Sequence, residues 1–280
     1  MSVAGCNHGQ PRPADFPGRA GSMNAEIPVQ RLRDNLQRVR ETVQQACARA
    51  GRSPDSVCLV AVTKYVEPAV IRALLAAGAT EIGENRVQQL SARATELGAR
   101  HGPWRDPSEI ATAPPDPLPR WHMIGNLQRN KVKALLPHAR IIHSLDSIRL
   151  ADELARAAAA AGTVVDAFIE VNVAGEASKS GLPPAELPAL VDAVQGAPPL
   201  RLRGLMTMPP FDLDPEEARP HFARLRRLLE DLQARRAVGP ECVHLSMGMS
   251  LDYAVAIEEG ATFIRVGSAL FDGLSPGETP

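Results

Sequence analysis

Lys64 ends the apolar run CLVAVTK (residues 58–64), and a primary amine delivered from an apolar strand is the type of group that condenses with an aldehyde. A lysine at a strand end is by default a solvated cap, so its chemistry depends on its companions. Two small-residue turns near the C-terminus matter here. Ser246-Met247-Gly248-Met249-Ser250 precedes a helical stretch that starts at Leu251, and Gly267-Ser268 follows the run TFIRV. A turn with glycine and hydroxyls at a helix start presents backbone N–H groups and the positive end of the helix dipole to an anion. Hydrogen bonds to a charged group contribute roughly 1.5–3 kcal/mol each, so a few converging donors hold a phosphate firmly.

The elements that carry these residues follow a simple rhythm. Apolar residues at Leu32, Leu36, Val39, Val43, Cys47 and Ala50 predict a leading amphipathic helix over residues 28–50, ended by Gly51. Eight apolar or β-branched runs follow, at 58–64, 80–85, 120–125, 140–146, 165–173, 201–208, 242–248 and 262–267, with helical stretches such as SIRLADELARAAAAAG between them. Eight strands alternating with helices predict an α/β fold, a single-domain (β/α)8 barrel of the TIM type. Active sites of such barrels lie at the C-terminal ends of the strands, and phosphates commonly bind after the seventh and eighth. The polar residues fall there. Lys64 ends the first strand, Glu84 and Asn85 the second and Asp146 the fourth; Asn126 follows the third and Asn172 closes the fifth. Ser246 to Ser250 follow the seventh strand, and Gly267 and Ser268 follow the eighth. An amine and a phosphate cup on one rim point to pyridoxal phosphate (PLP), which carries an aldehyde and a phosphate on one ring.

The barrel domain spans residues 23–273. Residues 1–22, rich in Gly and Pro without a period, read as a disordered extension, and residues 274–280 as a short tail. Residues 98–119 carry six prolines and no period, and read as a disordered surface insert in which Trp104 is exposed.

A balance of 31 basic against 32 acidic residues leaves a net charge of -1, which gives no footprint for nucleic acid or an anionic membrane and points to a small-molecule partner. No run approaches the ~18 apolar residues of a membrane span. The N-terminus lacks the continuous apolar stretch of a signal peptide. Cys6, Cys47, Cys58 and Cys242 form no CxxC pair and read as reduced thiols of a cytoplasmic protein. The histidines lack metal-ligand spacing; His122, His143 and His244 lie in predicted strands and read as satisfied barrel-interior imidazoles. Charged outer helix faces predict a monomer or weak dimer.

The ordered series LVAVTK, EIGENRVQQL, WHMIGNLQRNK, HSLDS, VNVAGEASKSG, LRGLMTMP, LSMGMSLDYAVAI and RVGSALF, from about residue 27 to 271, resembles the successive motifs of the YggS-like pyridoxal phosphate homeostasis protein family. The resemblance implies a PLP fold type III barrel, related to the N-terminal domain of alanine racemases, that binds its cofactor without established catalysis. It makes Lys64 the Schiff-base lysine, turns Asn85 toward the cofactor, and puts Ser246, Gly248, Gly267 and Ser268 in the phosphate cup. Arg265 matches the family arginine before that cup and reaches either the phosphate or the pyridine nitrogen. PLP-dependent apoenzymes are the implied recipients. Arg86 after the GEN motif, the Pro-rich insert and Phe271-Asp272-Gly273 depart from the family pattern; the first and last touch the rim, so the resemblance carries the cup but not the rim specificity.

The rival reading on the same barrel is a fold type III amino-acid racemase or another Schiff-base enzyme. Racemisation needs acid/base groups on both faces of the cofactor. Of the two tyrosines, Tyr65 is expected to point away from Lys64 across the strand, and Tyr253 lies one turn into the helix after the cup.

Overall fold

The computed structural model describes residues 29–102, 104–113, 118–175, 180–210 and 213–274. The expected N-terminal extension, Lys179 of the run VNVAGEASKSG and residues 275–280 of the tail lie outside them. The eight expected runs form eight strands: β1 (Cys58–Val62), β2 (Glu81–Glu84), β3 (Arg120–Met123), β4 (Ile141–Leu145), β5 (Val165–Glu170), β6 (Leu200–Met206), β7 (His244–Ser246) and β8 (Phe263–Val266). They pair in parallel in chain order, and β1 closes the barrel on β8 with Val60 beside Arg265.

The helices are α1 (Val29–Arg49), α2 (Pro68–Ala76), α3 (Val87–Leu97), α4 (Pro107–Thr112), α5 (Val132–Leu135), α6 (Ile148–Ala160), α7 (Leu187–Gln195), α8 (Pro215–Ala234) and α9 (Tyr253–Glu258). The three-and-four spacing read in α1 buries Leu32, Leu36, Val39, Val43 and Cys47. Asn35 on the same face donates to Leu270 O at 2.9 Å and Asp272 O at 3.0 Å, which ties the leading helix to the segment after β8.

Strand side chains alternate, so Ala61, Ile264 and Val266 pack under the helices while Cys58, Val60, Phe168 and Phe263 fill the lumen. The same parity turns Glu81, His122, Glu170 and Arg265 inward, all of them buried. Described Cys47, Cys58 and Cys242 are buried free thiols. No described helix is long and apolar enough to cross a membrane.

The segment read as a disordered surface insert is, in its described part, a plug for the N-terminal end of the barrel. The Trp104 ring packs 5.5 Å from Phe263, 6.1 Å from Phe168 and 5.3 Å from His244, between ring centroids, with the Arg203 guanidinium 4.8 Å over it. Asp106 accepts from Trp104 Nε1 at 3.1 Å and pairs with His244 Nε2 at 2.9 Å. It also starts α4 in a capping box with Glu109. The prolines mask this order in sequence: Pro107 sits in the first turn of α4, where its missing N–H costs nothing.

Candidate functional site

β1 ends at Val62, and the chain turns over the C-terminal rim with Val66 N donating to Thr63 O at 3.1 Å. Helix α3 clamps this turn. Gln89 Nε2 donates to Lys64 O at 3.0 Å, and Arg93 donates to Thr63 O at 2.7 Å, to Val66 O and to the buried Glu84 carboxylate. Thr63 Oγ1 donates to the same carboxylate. Burial holds the Glu84 carboxyl above the usual range, against the opposing pull of Thr63 and Arg93. Gln89 of the EIGENRVQQL motif and Arg93 beyond it thus fix the backbone around Lys64, and no hydrogen bond of its amine is seen among the described residues.

Lys64 is half-buried, with Nζ 4.8 Å from the centroid of the Tyr65 ring, which is itself 66% exposed. This corrects the expectation that Tyr65 points away: alternation stops with the strand at Val62, so residues of the turn are not bound by it. Tyr253 is buried in the hydrophobic core at the start of α9.

The two glycine turns are laced together. Arg265 N donates to Gly248 O and Gly267 N donates to Ser250 Oγ, both at 3.0 Å. Gly248 takes a φ of 94°, and a Cβ there would lie 2.6 Å from that of Ala256, so only glycine fits. The amides of Gly248, Ser268 and Ala269 donate to no acceptor among the described residues. A Cβ on Gly267 would lie 3.4 Å from that of Val62, which places this cup beside the Lys64 turn across the β1 and β8 seam.

Arg265 lies in the lumen, two residues below the Gly267 turn and 3% exposed. Its Nη1 donates to Ser246 Oγ at 2.6 Å and its Nη2 to Thr207 O at 3.0 Å. Burial lowers its pKa to about 10, with Glu170 and Asp252 opposing. The Ser246 hydroxyl, expected in the phosphate cup, is fully buried and also bonded to His143 Nδ1 at 2.8 Å, so its hydrogen-bond partners among the described residues lie in the lumen. Asn85 follows β2 at the rim, half-buried, and a Cβ on Gly125 would lie 2.5 Å from Asn85 O, which accounts for the glycine of WHMIGN. Asn126 and Asp146 pair at 3.4 Å on the exposed rim, and Asn172 Oδ1 accepts from Gly175 N at 2.9 Å.

Sequence reasoning missed Glu170. It is buried in the lumen, and burial pushes its carboxyl up to about 7 against the pull of Arg265, with Asp146 adding to the rise. The inward parity of residues 166, 168 and 170 in VDAFIE is the signal that finds it.

The residues present fit a cofactor with an aldehyde and a phosphate: one amine and backbone N–H groups without an acceptor among the described residues border one rim, and a guanidinium lies below it in the lumen. A closed parallel barrel with such a rim is of the class of the alanine racemase N-terminal domain, and the family model of that description matches residues 27–276. The chain belongs, more narrowly, to the pyridoxal phosphate homeostasis protein family. It is 42% identical over 238 residues to the Pyridoxal phosphate homeostasis protein of Aquifex aeolicus, covering 85% of this chain and 96% of the relative. To the protein of that name in Pseudomonas aeruginosa it is 39% identical, covering 86% of this chain and 94% of the relative. Among solved structures, PipY of Synechococcus elongatus with PLP bound aligns at a TM-score of 0.69 and 33% identity, covering 86% of this chain and 99% of PipY.

Proposed function

We propose that this chain is a PLP carrier: it holds the cofactor at the C-terminal rim of the barrel, takes part in intracellular PLP homeostasis, and is not an enzyme. The observation that carries the reading is the meeting of the clamped Lys64 turn with the Gly248 and Gly267 turns across the β1 and β8 seam. The cofactor supplies an aldehyde, and Lys64 condenses with it as a Schiff base. The amides of Gly248, Ser268 and Ala269 hold the phosphate, Gly267 shapes their turn, and Asn85 borders the ring. Arg265 and Ser246 form the floor. Because Arg265 lies in the lumen below the cup, we assign it to the ring-nitrogen side rather than to the phosphate. A guanidinium only donates, so it keeps the ring nitrogen unprotonated and the ring a poor electron sink. That suits storage and delivery to PLP-dependent apoenzymes.

The carrier acts in the cytoplasm as a monomer or weak dimer in this reading. The free thiols among the described cysteines and the charged outer face of α8 support that reading. Purified protein is expected to show the visible band of a lysine-bound cofactor, and protein that is colourless and binds no added PLP refutes the reading. One observation favours the rival enzyme reading: Tyr65 stands beside Lys64. The ring is exposed, no described residue hydrogen-bonds its hydroxyl, and Tyr253 is in the core, so the other tyrosine does not supply the opposite face.

A further inference from the structure

The lumen holds a series of hydrogen bonds that cofactor capture by itself does not require. Glu81 Oε2 meets His122 Nε2 at 2.9 Å, His122 Nδ1 meets His143 Nε2 at 2.9 Å, His143 Nδ1 meets Ser246 Oγ at 2.8 Å, and Ser246 Oγ meets Arg265 Nη1 at 2.6 Å. The series starts at the first residue of β2, near the plugged end of the barrel, and ends under the cup. Its members are at most 3% exposed. Arg100 at 2.8 Å and Arg120 at 3.8 Å hold Glu81 from the outer side, and the His143 ring stacks on Phe168 with centroids 4.5 Å apart.

The two ends dictate the direction of every bond. Arg265 can only donate, so Ser246 accepts from it. No third partner of the buried serine is seen among the described residues, so its own proton goes to His143 Nδ1; turned elsewhere, that proton would be buried without an acceptor. His143 then carries its proton on Nε2 and donates to His122 Nδ1. His122 likewise carries its proton on Nε2 and donates to Glu81, which the hydrogen bond and the nearby arginines hold ionised despite burial. Cation and carboxylate are thus joined by one run of aligned donors.

We propose that His143, His122 and Glu81 are positioning residues for cofactor recognition: through Ser246 they fix the aim of the Arg265 guanidinium and keep it a donor-only floor. The inference rests on the carrier reading above. A network serving only to fill the lumen would tie cofactor affinity no more to this run than to the other buried pair at the plugged end, Asp166 and Arg203 at 2.7 Å, which makes no hydrogen bond to it.

The test titrates PLP into the cofactor-free full chain and its variants. His122→Phe is expected to bind about tenfold more weakly, the scale of a hydrogen bond to a charged group, and Glu81→Gln about threefold, the scale of an ordinary one. Asp166→Asn is expected to bind as the parent chain does. Equal affinity in His122→Phe and the parent overturns the proposal, as does an equal loss in Asp166→Asn. Should His122→Phe fail to fold, the isosteric Glu81→Gln and imidazole nitrogen NMR of the parent decide. Both rings are expected as Nε2–H tautomers at neutral pH, and an Nδ1–H tautomer on either overturns the proposal. A parent chain that binds no PLP defeats the carrier reading instead, and the NMR result then judges the directed series alone.

Discussion

The Lys64 Nζ atom lies 4.8 Å from the centroid of the neighbouring Tyr65 ring, so the amine and the exposed phenol share the mouth of the barrel. A phenol there invites acid/base chemistry, yet a single exposed tyrosine provides one face and no exclusion of water. Amino acids incubated with the protein and PLP in deuterium oxide are therefore expected to show no Lys64-dependent exchange at the α-carbon at enzyme-like turnover. Tyr65→Phe is expected to capture the cofactor normally. Exchange that vanishes in Lys64→Ala or Tyr65→Phe supports the enzyme.

Arg265→Gln should weaken PLP retention while Lys64 still reacts. The substitution also removes the charged donor to Ser246 Oγ and Thr207 O inside the lumen, so a stability loss of roughly 1–3 kcal/mol is expected. Denaturant titration and PLP titration on the same variant separate the two effects. An unchanged PLP affinity refutes the floor role of Arg265.

Strand positions and rim residues are legible in the sequence because a closed barrel imposes a repeated local pattern: a short apolar run, then polar residues at its end. Lys64, Asn85, Gly248 and Gly267 all fall at such ends. What depends on contacts across the lumen is less legible. Trp104 lies in a Pro-rich stretch whose composition signals disorder, and only the apposition of Phe168, Phe263 and His244 gives it a place to pack. Tyr65 follows a strand that stops two residues before Lys64, a boundary that the run CLVAVTK does not mark. Glu170 reads as one of two charges in an otherwise apolar run until its neighbours fix it inward. His122 and His143 are correctly read as satisfied, whereas His244 Nδ1 is buried without a partner among the described residues, and the connection of the first two in series requires the register of β2, β3, β4 and β7.

Trp104→Ala removes the plug from the N-terminal end. A loss of about 3 kcal/mol is expected, at the low end for truncating a large aromatic in a core. The cofactor rim lies at the opposite end, so PLP binding should survive under native conditions. Thermal and chemical denaturation check the first part; a variant as stable as the parent contradicts the packing role.

Glu170 makes stability depend on pH. Its carboxyl is pushed up to about 7 by burial, from an ordinary value of 4.5. The folded state therefore holds this proton more tightly than the unfolded state does, and the stability linked to it is complete below about pH 4 and lost as pH rises through about 7. Glu170→Gln should remove that loss. Relative to the parent, the variant is expected to gain up to about 3 kcal/mol between roughly pH 4 and pH 8. A difference between the two proteins that does not vary with pH contradicts the assignment.

The central claim is that Lys64 captures PLP at a cup that binds phosphate independently. Borohydride reduction of the PLP-loaded protein, followed by peptide mass spectrometry, tests it most directly. The account predicts a reduced pyridoxyl phosphate adduct on Lys64, and in Lys64→Ala a loss of both adduct and visible band with measurable PLP affinity retained. An adduct on another lysine, or none on a protein exposed to PLP, contradicts it.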